Sequence, residues 1–464
     1  MKKTGGKKKD WLSVWATRGE IEMEKLKEQL PDGFESLELF LEESYPADIA
    51  DFLSKLDEEE VKYIFREKLP REIWSEVISY LDHDLMYFLS RFFSESELSD
   101  ILSDMHPDDA ADFLGSMPVG KVKETLNLLR TNKASELKRL LGYDDESAGG
   151  LMTTEYLAFY SDQTAQQVLE KLREISPDAE MIYYIYVISR TKELVGVLSV
   201  RQLLAAQPDI LLEEIMNNNV IKVSVNLDRE EVAHIFAKYD LLALPVVNNK
   251  NQLMGIITVD DVIDVIEEEA TEDIYKMAAT ADINVERNGL LSGVKKRIPW
   301  LLILLVGDLM SGTVIRNFET PLQQVVALAF FIPVLMDMGG NVGTQSLTVV
   351  VRGLATGELH FSRFWSHLWE ELKVGIVMAL ILGSSLSVVA LLWQDNPVLG
   401  LIVGISMFIT LVTAIIAGTT IPFIMEAIGA DPAVAAGPFI TTLIDMSGLF
   451  IYFTLATLLM EKLL

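Results

Sequence analysis

The chain has 464 residues, of which 50% are hydrophobic and 23% are charged, with a formal net charge of −29 at pH 7. The charge is segregated, because residues 1–290 carry 57 acidic and 31 basic side chains whereas residues 291–464 carry 11 and 8. An acidic soluble part therefore precedes a membrane part, and its acidity should repel nucleic acid. The absence of cysteine excludes disulfides and thiolate metal sites, and five scattered histidines argue against zinc or copper.

The N-terminal segment is basic and reads MKKTGGKKKD. It runs into WLSVWATRGE without the apolar stretch that a secretory signal requires. We predict a frayed tail, with contact to anionic lipid as the alternative.

A repeat in the acidic part indicates stacked helical hairpins. Its two copies are PADIADFL (46–53) and PDDAADFL (107–114). Such spacing favours an all-α superhelical N domain, which we place at residues 1–148. Proline at a helix start with aspartate in the first turn is ordinary capping chemistry, and Asp108 and Asp109 add acids beyond what capping needs.

Residues 149–268 have an α/β pattern that occurs twice. Each copy reads β–α–β–β–α and ends in GVLSV or GIITV before a helix, and the second carries LPVV. The pattern resembles a tandem of CBS domains, at about 149–207 and 212–268. That family often binds adenine nucleotides through a Thr or Ser and an Asp three residues later. Thr258 and Asp261 match, whereas Ser199 and Gln202 make a site in the first copy doubtful.

An acidic helix is predicted to connect the soluble part to the membrane part, at residues 269–294 with acids that begin earlier. Like charges four residues apart, such as Asp264/Glu268 and Glu269/Asp273, each cost roughly 0.2–0.5 kcal/mol in an isolated helix. A solvated acidic face is one explanation. A divalent cation that relieves the repulsion is the other, and it would make the helix a two-state element.

The membrane part, residues 295–464, contains five apolar runs of spanning length. They begin after Lys295-Lys296-Arg297 and continue at about 322–351, 370–393, 398–425 and 436–461. Basic residues precede span one and lie between spans two and three, so the positive-inside rule puts the N-terminal part in the cytosol and the C-terminus outside.

The last span carries an isolated acid, Asp445. Gly437, Thr441, Asp445 and Gly448 fall on one helical face. A carboxylate at this depth is costly and usually faces water, a partner or an ion. We favour an ion path over an aspartate that only ties helices together.

The second span contains the polar stretch LMDMGGNVGTQSL, residues 335–347. With Pro333 upstream, we predict non-helical backbone whose carbonyls join Asn341 and Gln345 in an oxygen-rich wall suited to a hard cation. The alternative is that Gly339 and Gly340 permit a tight helix crossing. Asp337 faces a pore mouth or pairs with a neighbour, and Asp308 has no assigned role.

The order of these elements, together with GGNVGTQS and DPAVAAGPFITTLIDMSGLFIYF, resembles the MgtE family of magnesium channels. The resemblance implies a homodimer in the cell membrane, with a pore in which Asp445 recognises hydrated Mg²⁺. Asn341, Thr441 and Gly437 match pore-lining positions, and Gly339 and Gly340 belong to the same motif. Some relatives have Asn at Gly437 and Ala at Thr441, which puts the detail of the ring in doubt.

The resemblance also implies a cytosolic Mg²⁺ sensor that closes the pore. Its candidate ligands are acids of the N domain, the CBS tandem and the connecting helix: Asp108, Asp109, Asp112, Asp261, Asp264, Glu268, Glu269 and Asp273. The expected protein is thus a Mg²⁺-selective influx channel gated by cytosolic Mg²⁺, with ATP as a candidate second ligand at Thr258 and Asp261.

Two other functions compete with this prediction. A nucleotide-regulated secondary transporter for another ion would sense ATP instead of Mg²⁺. A membrane-bound enzyme is disfavoured, because neither a nucleophile–base pair nor a phosphate-binding glycine loop is visible.

Overall fold

The computed structural model describes residues 37–175, 183–280, 285–434 and 437–463. The predicted basic tail lies outside them. The described residues form two compact units that divide between Val265 and Ile266. We call them the first unit and the second unit.

The first unit begins with short helices joined by tight turns. They are α1 (Leu37–Glu43), α2 (Pro46–Leu53), α3 (Glu58–Glu67), a 3-10 turn (Arg71–Ile73), α4 (Trp74–Ser79), α5 (His83–Phe92), α6 (Glu95–Asp104), α7 (Pro107–Gly115), α8 (Val119–Leu128) and α9 (Thr131–Leu140). The repeated octapeptides form α2 and most of α7, and each helix has its proline in the first turn, where no backbone donor is lost.

Capping residues fix where these helices start. Asp57 accepts hydrogen bonds from the backbone of Glu59 and Glu60, and Glu60 accepts one from the backbone of Asp57. Ser94 and Glu97 repeat this capping box at α6. The apolar faces of these helices meet in one core, which includes Phe113 and continues into the second CBS-like module at residues such as Val223 and Phe236.

Two three-stranded sheets follow, one in each CBS-like module. The first module contains β1 (Ala158–Tyr160), α10 (Ala165–Ile175), β2 (Tyr184–Ile188), β3 (Leu194–Ser199) and α11 (Val200–Ala205). The second contains α12 (Leu212–Ile215), β4 (Val223–Ser224), α13 (Arg229–Tyr239), β5 (Ala243–Val247), β6 (Leu253–Thr258) and the start of α14 (Val259–Met277). In each sheet the first pair is parallel and the second antiparallel, as the β–α–β–β order requires.

Helix α14 carries the chain from the first unit into the second and ends at Met277. The next helix, α15 (Val285–Asn317), begins beyond residues 278–280, which belong to neither helix. The prediction of one helix over 269–294 was therefore wrong.

The second unit is helical. Its elements are α15, α16 (Glu319–Gln324), a 3-10 turn (Val326–Phe331), α17 (Ile332–Ala355), a 3-10 turn (Phe361–Arg363), α18 (Phe364–Gln394), α19 (Pro397–Ala427), a 3-10 turn (Pro432–Val434), α20 (Gly437–Leu458) and α21 (Met460–Leu463). Five stretches of the described residues are long and apolar enough to cross a membrane: Gly293–Asn317, Val326–Ala355, Phe361–Gln394, Pro397–Ala427 and Gly437–Leu458. The predicted five spans and the predicted fold class are confirmed.

The polar stretch of the second span is helical, which corrects the prediction of an opened backbone. Pro333 lies in the first turn of α17, where it interrupts no helical hydrogen bond. Residues 335–347 continue that helix without a break, so their carbonyls do not form the predicted wall. Gly339 and Gly340 are buried.

The glycines of α17 instead permit close helix packing, which was the alternative. A Cβ on Gly339 would lie 2.8 Å from Ile444 Cγ2 and 2.9 Å from Thr410 Cγ2. A Cβ on Gly340 would lie 3.0 Å from Thr441 Cγ2. Helix α17 therefore touches both α19 and α20 at a distance that only glycine allows.

The Gly418–Gly343 contact gives a stability prediction. A Cβ on Gly418 of α19 would collide with the backbone carbonyl of Gly343, which has no freedom to rotate away. We expect Gly418→Ala to lower the free energy of unfolding by about 1–3 kcal/mol, measured by denaturant titration in detergent micelles. Gly312→Ala is the matched control, because nothing lies within 4 Å of its added Cβ. Equal stability of the two variants would contradict the packing argument.

Candidate functional site

Asp445, in the last membrane helix, lies within electrostatic reach of acids on two other membrane helices of the second unit. Asp445 lies in α20 and is partly buried. The charged groups that act on it are Asp308 of α15 and Asp337 of α17. Sequence reasoning had singled out Asp445 and left the other two without a settled role, and their electrostatic effect on Asp445 makes all three candidates for one site.

Packing explains how α15 brings its acid there. A Cβ on Gly307 would collide with Thr442 of α20, so the glycine lets the two helices touch one residue before Asp308. Thr442 is itself three residues from Asp445 along α20. The close contact therefore fixes where the Asp308 carboxylate stands relative to Asp445.

Asn341 is exposed and lies one turn after Asp337 on α17. Its side-chain amide Nδ2 donates a hydrogen bond of 3.1 Å to Asp337 Oδ2. The pairing alternative for Asp337 is thus the one observed, with Asn341 as its neighbour. Because the amide nitrogen is the donor, the Asn341 carbonyl oxygen is left for another partner.

The other predicted pore residues have packing roles in this arrangement. Thr441 Oγ1 donates to the carbonyl of Pro438 at 2.9 Å, and its methyl group packs against Gly340. A Cβ on Gly437, the first residue of α20, would lie 3.3 Å from Thr344 Cγ2 and 3.5 Å from the carbonyl of Met277. Gly437 and Thr441 lie on the face of α20 that carries Asp445.

A second group of acids lies in the first unit, where α7 meets the start of α14. Asp108 is 8% exposed, and its Oδ1 atom has no hydrogen-bond partner. Burial and then the charge of Asp109 raise the pKa of Asp108 to about 6. Burial and then Asp261 raise the pKa of Asp109 to about 6 as well, against the opposing effect of His106. A buried carboxylate oxygen without a donor suits a cation.

Asp261 connects this group to the predicted nucleotide motif. Thr258 is 1% exposed, and its Oγ1 donates to Asp261 Oδ2 at 2.7 Å. Burial and then the charge of Asp108 raise the pKa of Asp261 to about 7, and the Thr258 hydrogen bond opposes the shift. The two residues of the motif are therefore in contact with each other, and Asp261 also faces α7.

The remaining predicted sensor residues lie at the edge of this group or further along α14. Asp112 lies at its open edge, within the electrostatic reach of Asp108, Asp109 and Asp145. Asp264 and Glu268 lie on exposed positions of α14. Among the described residues, no three acidic or histidine side chains are placed as direct ligands of one metal ion.

Asp273 belongs to another group, in the second unit. Burial and then the charge of Asp431 raise the pKa of Asp273 to about 6, while Lys276 opposes the shift. Lys276 forms ion pairs with Glu272 and Asp431. Sequence reasoning did not assign Glu272, Lys276 or Asp431, although Asp431 begins the DPAVAAGPF stretch that supported the family resemblance.

Comparison with known proteins decides the family. The "Magnesium transporter MgtE" of Thermus thermophilus is 38% identical over 452 residues, which cover 94% of this chain and 98% of that protein. The chain belongs to the MgtE family. The Bacillus subtilis protein of the same name is 37% identical over 431 residues, 89% of this chain and 95% of that protein.

Family models match the MgtE parts in the expected order. The model described as a divalent cation transporter covers residues 332–455, the MgtE intracellular N domain covers 44–146, and the CBS domain covers 148–209 and 212–268. Among solved structures, the cytosolic domain of the Mg²⁺ channel MgtE in complex with ATP is 36% identical, with coverage of 53% of this chain and 99% of that chain and a TM-score of 0.47. The predicted class, a transporter and not an enzyme, is confirmed by the family.

The raised pKa of Asp109 predicts a pH-dependent effect on stability. A raised pKa means that the folded state disfavours the carboxylate, so the cost is fully present above about pH 6 and fades as the pH falls towards about 4. Asp109→Asn should therefore raise the melting temperature at about pH 8 without divalent cations, and the gain should shrink at about pH 5. Thermal unfolding of the detergent-purified chain measures both values.

The repeat supplies the control for this prediction. Asp48 occupies the equivalent position in α2 and is exposed. Asp48→Asn should leave the melting temperature unchanged at both pH values. A pH-independent gain in Asp109→Asn, or the same gain in both variants, would count against the electrostatic account.

Proposed function

We propose that the protein is a Mg²⁺-selective channel that admits Mg²⁺ down its electrochemical gradient. The single observation that carries this proposal is the presence of Asp445 in the last membrane helix with Asp308 and Asp337 as its charged neighbours. Acids at membrane depth are retained where they face a water-filled path and a cation. The names of the relatives support magnesium as that cation.

Recognition of a hydrated ion fits the side chains on offer. Mg²⁺ gives up its waters reluctantly and binds through few carboxylates, so Asp445 would hold its water shell. Asn341 would contribute its carbonyl oxygen, oriented by the hydrogen bond from its amide to Asp337. Asp308 and Asp337 would raise the local cation concentration and favour a dication over a monovalent ion. In the homodimer that we propose, two copies of Asp445 would meet one ion.

Cytosolic Mg²⁺ would close this channel by relieving repulsion between acids. The pKa values of Asp108, Asp109 and Asp261 are all raised, so their arrangement is unfavourable at neutral pH without a cation. A bound Mg²⁺ would stabilise that arrangement, and α14 would transmit the change because it continues from this group into the membrane unit. The acids further along α14, Asp264, Glu268, Glu269 and Asp273, would bind further ions.

The proposed topology places the N domain, CBS tandem and connecting segment in the cytosol, with the C-terminus outside the cell. Basic residues around spans one and two support that orientation. The domain boundaries at 148, 268 and 294 are part of the proposal. An adenine nucleotide would be a second regulatory ligand at Thr258 and Asp261, where binding must replace the hydrogen bond between them.

The pore assignment predicts the effect of removing the central charge. Asp445→Asn should reduce Mg²⁺ current by about tenfold or more, because the amide no longer attracts the hydrated dication. Patch-clamp recording at low cytosolic Mg²⁺ measures it. Asp395→Asn is the control, since Asp395 is an exposed acid at the end of α18 with φ 49°, a conformation that asparagine also tolerates. Undiminished current in Asp445→Asn would refute the pore assignment.

The sensor assignment predicts the effect of removing four cytosolic charges. Neutralising four acids of α14 should leave the channel open at millimolar cytosolic Mg²⁺, because the acids that remain attract the ion too weakly; the substitutions are Asp261→Asn, Asp264→Asn, Glu268→Gln and Glu269→Gln. Inside-out patches with Mg²⁺ varied on the cytosolic face measure closure.

A control variant loses the same number of charges at exposed positions within residues 170–213: Glu170→Gln, Glu174→Gln, Asp209→Asn and Glu213→Gln. It should close at the wild-type concentration. Closure of the α14 variant at that same concentration would show that the sensor lies elsewhere. If ATP closed the wild type and Mg²⁺ did not, a nucleotide-regulated transporter would replace the proposal.

A further inference from the structure

Lys276, near the end of α14, forms two ion pairs in the second unit. Its Nζ atom lies 2.6 Å from Glu272 Oε1 and 2.7 Å from Asp431 Oδ2. The first partner is one turn earlier in the same helix, whereas the second lies far along the chain, just before the 3-10 turn Pro432–Val434. The ammonium of Lys276 therefore connects α14 to the segment that precedes α20.

The acids around this ammonium outnumber it. Asp273 experiences the charges of Asp431, Glu269 and Glu272, with Lys276 as the opposing charge. Partial burial lowers the pKa of Lys276, but hydrogen bonds to Asp431 and Glu272 outweigh it and raise that pKa. Lys276 is thus positively charged at neutral pH, and the carboxylates around it could also bind a free cation.

The place of the bridge connects it to the pore helix. Met277, the next residue, packs against the apolar core of the membrane unit. Its carbonyl lies 3.5 Å from the position that a Cβ on Gly437, the first residue of α20, would occupy. Asp445 is two turns further along α20. A change in the ion pair between Lys276 and Asp431 would therefore act at the start of α20, the helix that carries Asp445.

We propose that Lys276 is a tethered cation that competes with a divalent cation for the carboxylates of Glu272 and Asp431, and so sets the concentration at which the channel closes. This inference rests on the proposed function, namely a channel closed by cytosolic Mg²⁺. The ammonium occupies one oxygen of each carboxylate. A dication that binds the same oxygens must displace the ammonium, and one that binds beside them must tolerate its repulsion.

The geometry explains why a lysine suits this task. Its side chain is 30% exposed, so the flexible stem can swing the ammonium into water when a dication takes its place. The ion pair alone holds α14 to Asp431 only weakly, since partly exposed pairs contribute about 1 kcal/mol or less. A dication between the same acids would bind them more strongly. The ion pair of Lys276 therefore holds α14 near Asp431 reversibly, in the arrangement that a bound dication would stabilise.

Lys276→Gln tests the competition directly. Removing the competing charge should lower the cytosolic Mg²⁺ concentration for half-closure by about fivefold or more, the effect of one unit charge at about 4 Å in water. Lys276→Arg keeps the charge and should close near the wild-type concentration. Both variants and the wild type are recorded as full-length channels in inside-out patches, with Mg²⁺ varied on the cytosolic face.

A second pair of variants separates competition from loss of structure. The double variant Glu272→Gln and Asp431→Asn lacks both carboxylates for which the ammonium and the dication compete. Adding Lys276→Gln to it should therefore no longer change the Mg²⁺ concentration for half-closure. A shift of equal size in that background would overturn the proposal. So would an unchanged or raised half-closing concentration in Lys276→Gln alone.

The result for the wild type distinguishes a failure of the role proposed for Lys276 from a failure of the proposed gating by Mg²⁺. If the wild type closes with Mg²⁺ and Lys276→Gln fails to shift closure downward, only the role of Lys276 is refuted. If the wild type does not close with Mg²⁺, the proposed gating itself fails. Should Lys276→Gln not reach the membrane, Lys276→Met removes the charge with a stem of similar length and is read in the same way.

Discussion

Close approach of three membrane helices is the constraint on which the rest of the second unit depends. At Gly339 and Gly340, α17 packs so closely against α19 and α20 that no side chain would fit. Gly418 of α19 makes an equally close contact with the backbone of α17. Without an aqueous hydrophobic effect between helices, such van der Waals contact is what holds a membrane bundle together. It also determines which faces remain for polar groups. Asp337 and Asn341 are on α17 but outside these contacts, where they can meet water and the charge of Asp445.

The same electrostatic problem appears in both units and has the same solution. Carboxylates are brought together with few bases nearby, so the charged form of each is disfavoured. A bound cation would relieve that cost, because a nearby opposite charge favours the charged form of each acid. In the first unit, the Asp108 Oδ1 atom without a hydrogen-bond partner marks a position where a positive charge would be favourable. In the second, Lys276 already supplies part of it from within the chain.

Periodicity and segregated charge were enough to predict the five spans, the helical N domain and the two α/β modules. They failed at α17, where Pro333 and the glycine pair were interpreted as a break. Proline in the first helical turn costs nothing, and only a neighbouring helix shows whether a glycine is loose or tightly packed. The convergence of Asp308 and Asp445, and of Lys276 and Asp431, joins residues far apart in sequence. No local pattern encodes such pairings, because they follow from tertiary packing.

The Gly307 contact has a mechanical consequence for α15. At Gly307, α15 comes into close contact with Thr442 of α20. From Gly307 onward α15 is held in the bundle, because Ser311 is buried and Val314 and Ile315 pack against the core. The part of the helix before Gly307 can therefore tilt about this held end, next to Asp308. From residue 285 to residue 307 the arm is about 33 Å long at 1.5 Å per residue, so a tilt of about 10° would move the far end by about 6 Å. The acid beside Asp445 would stay almost in place while the end nearest the connecting segment swings.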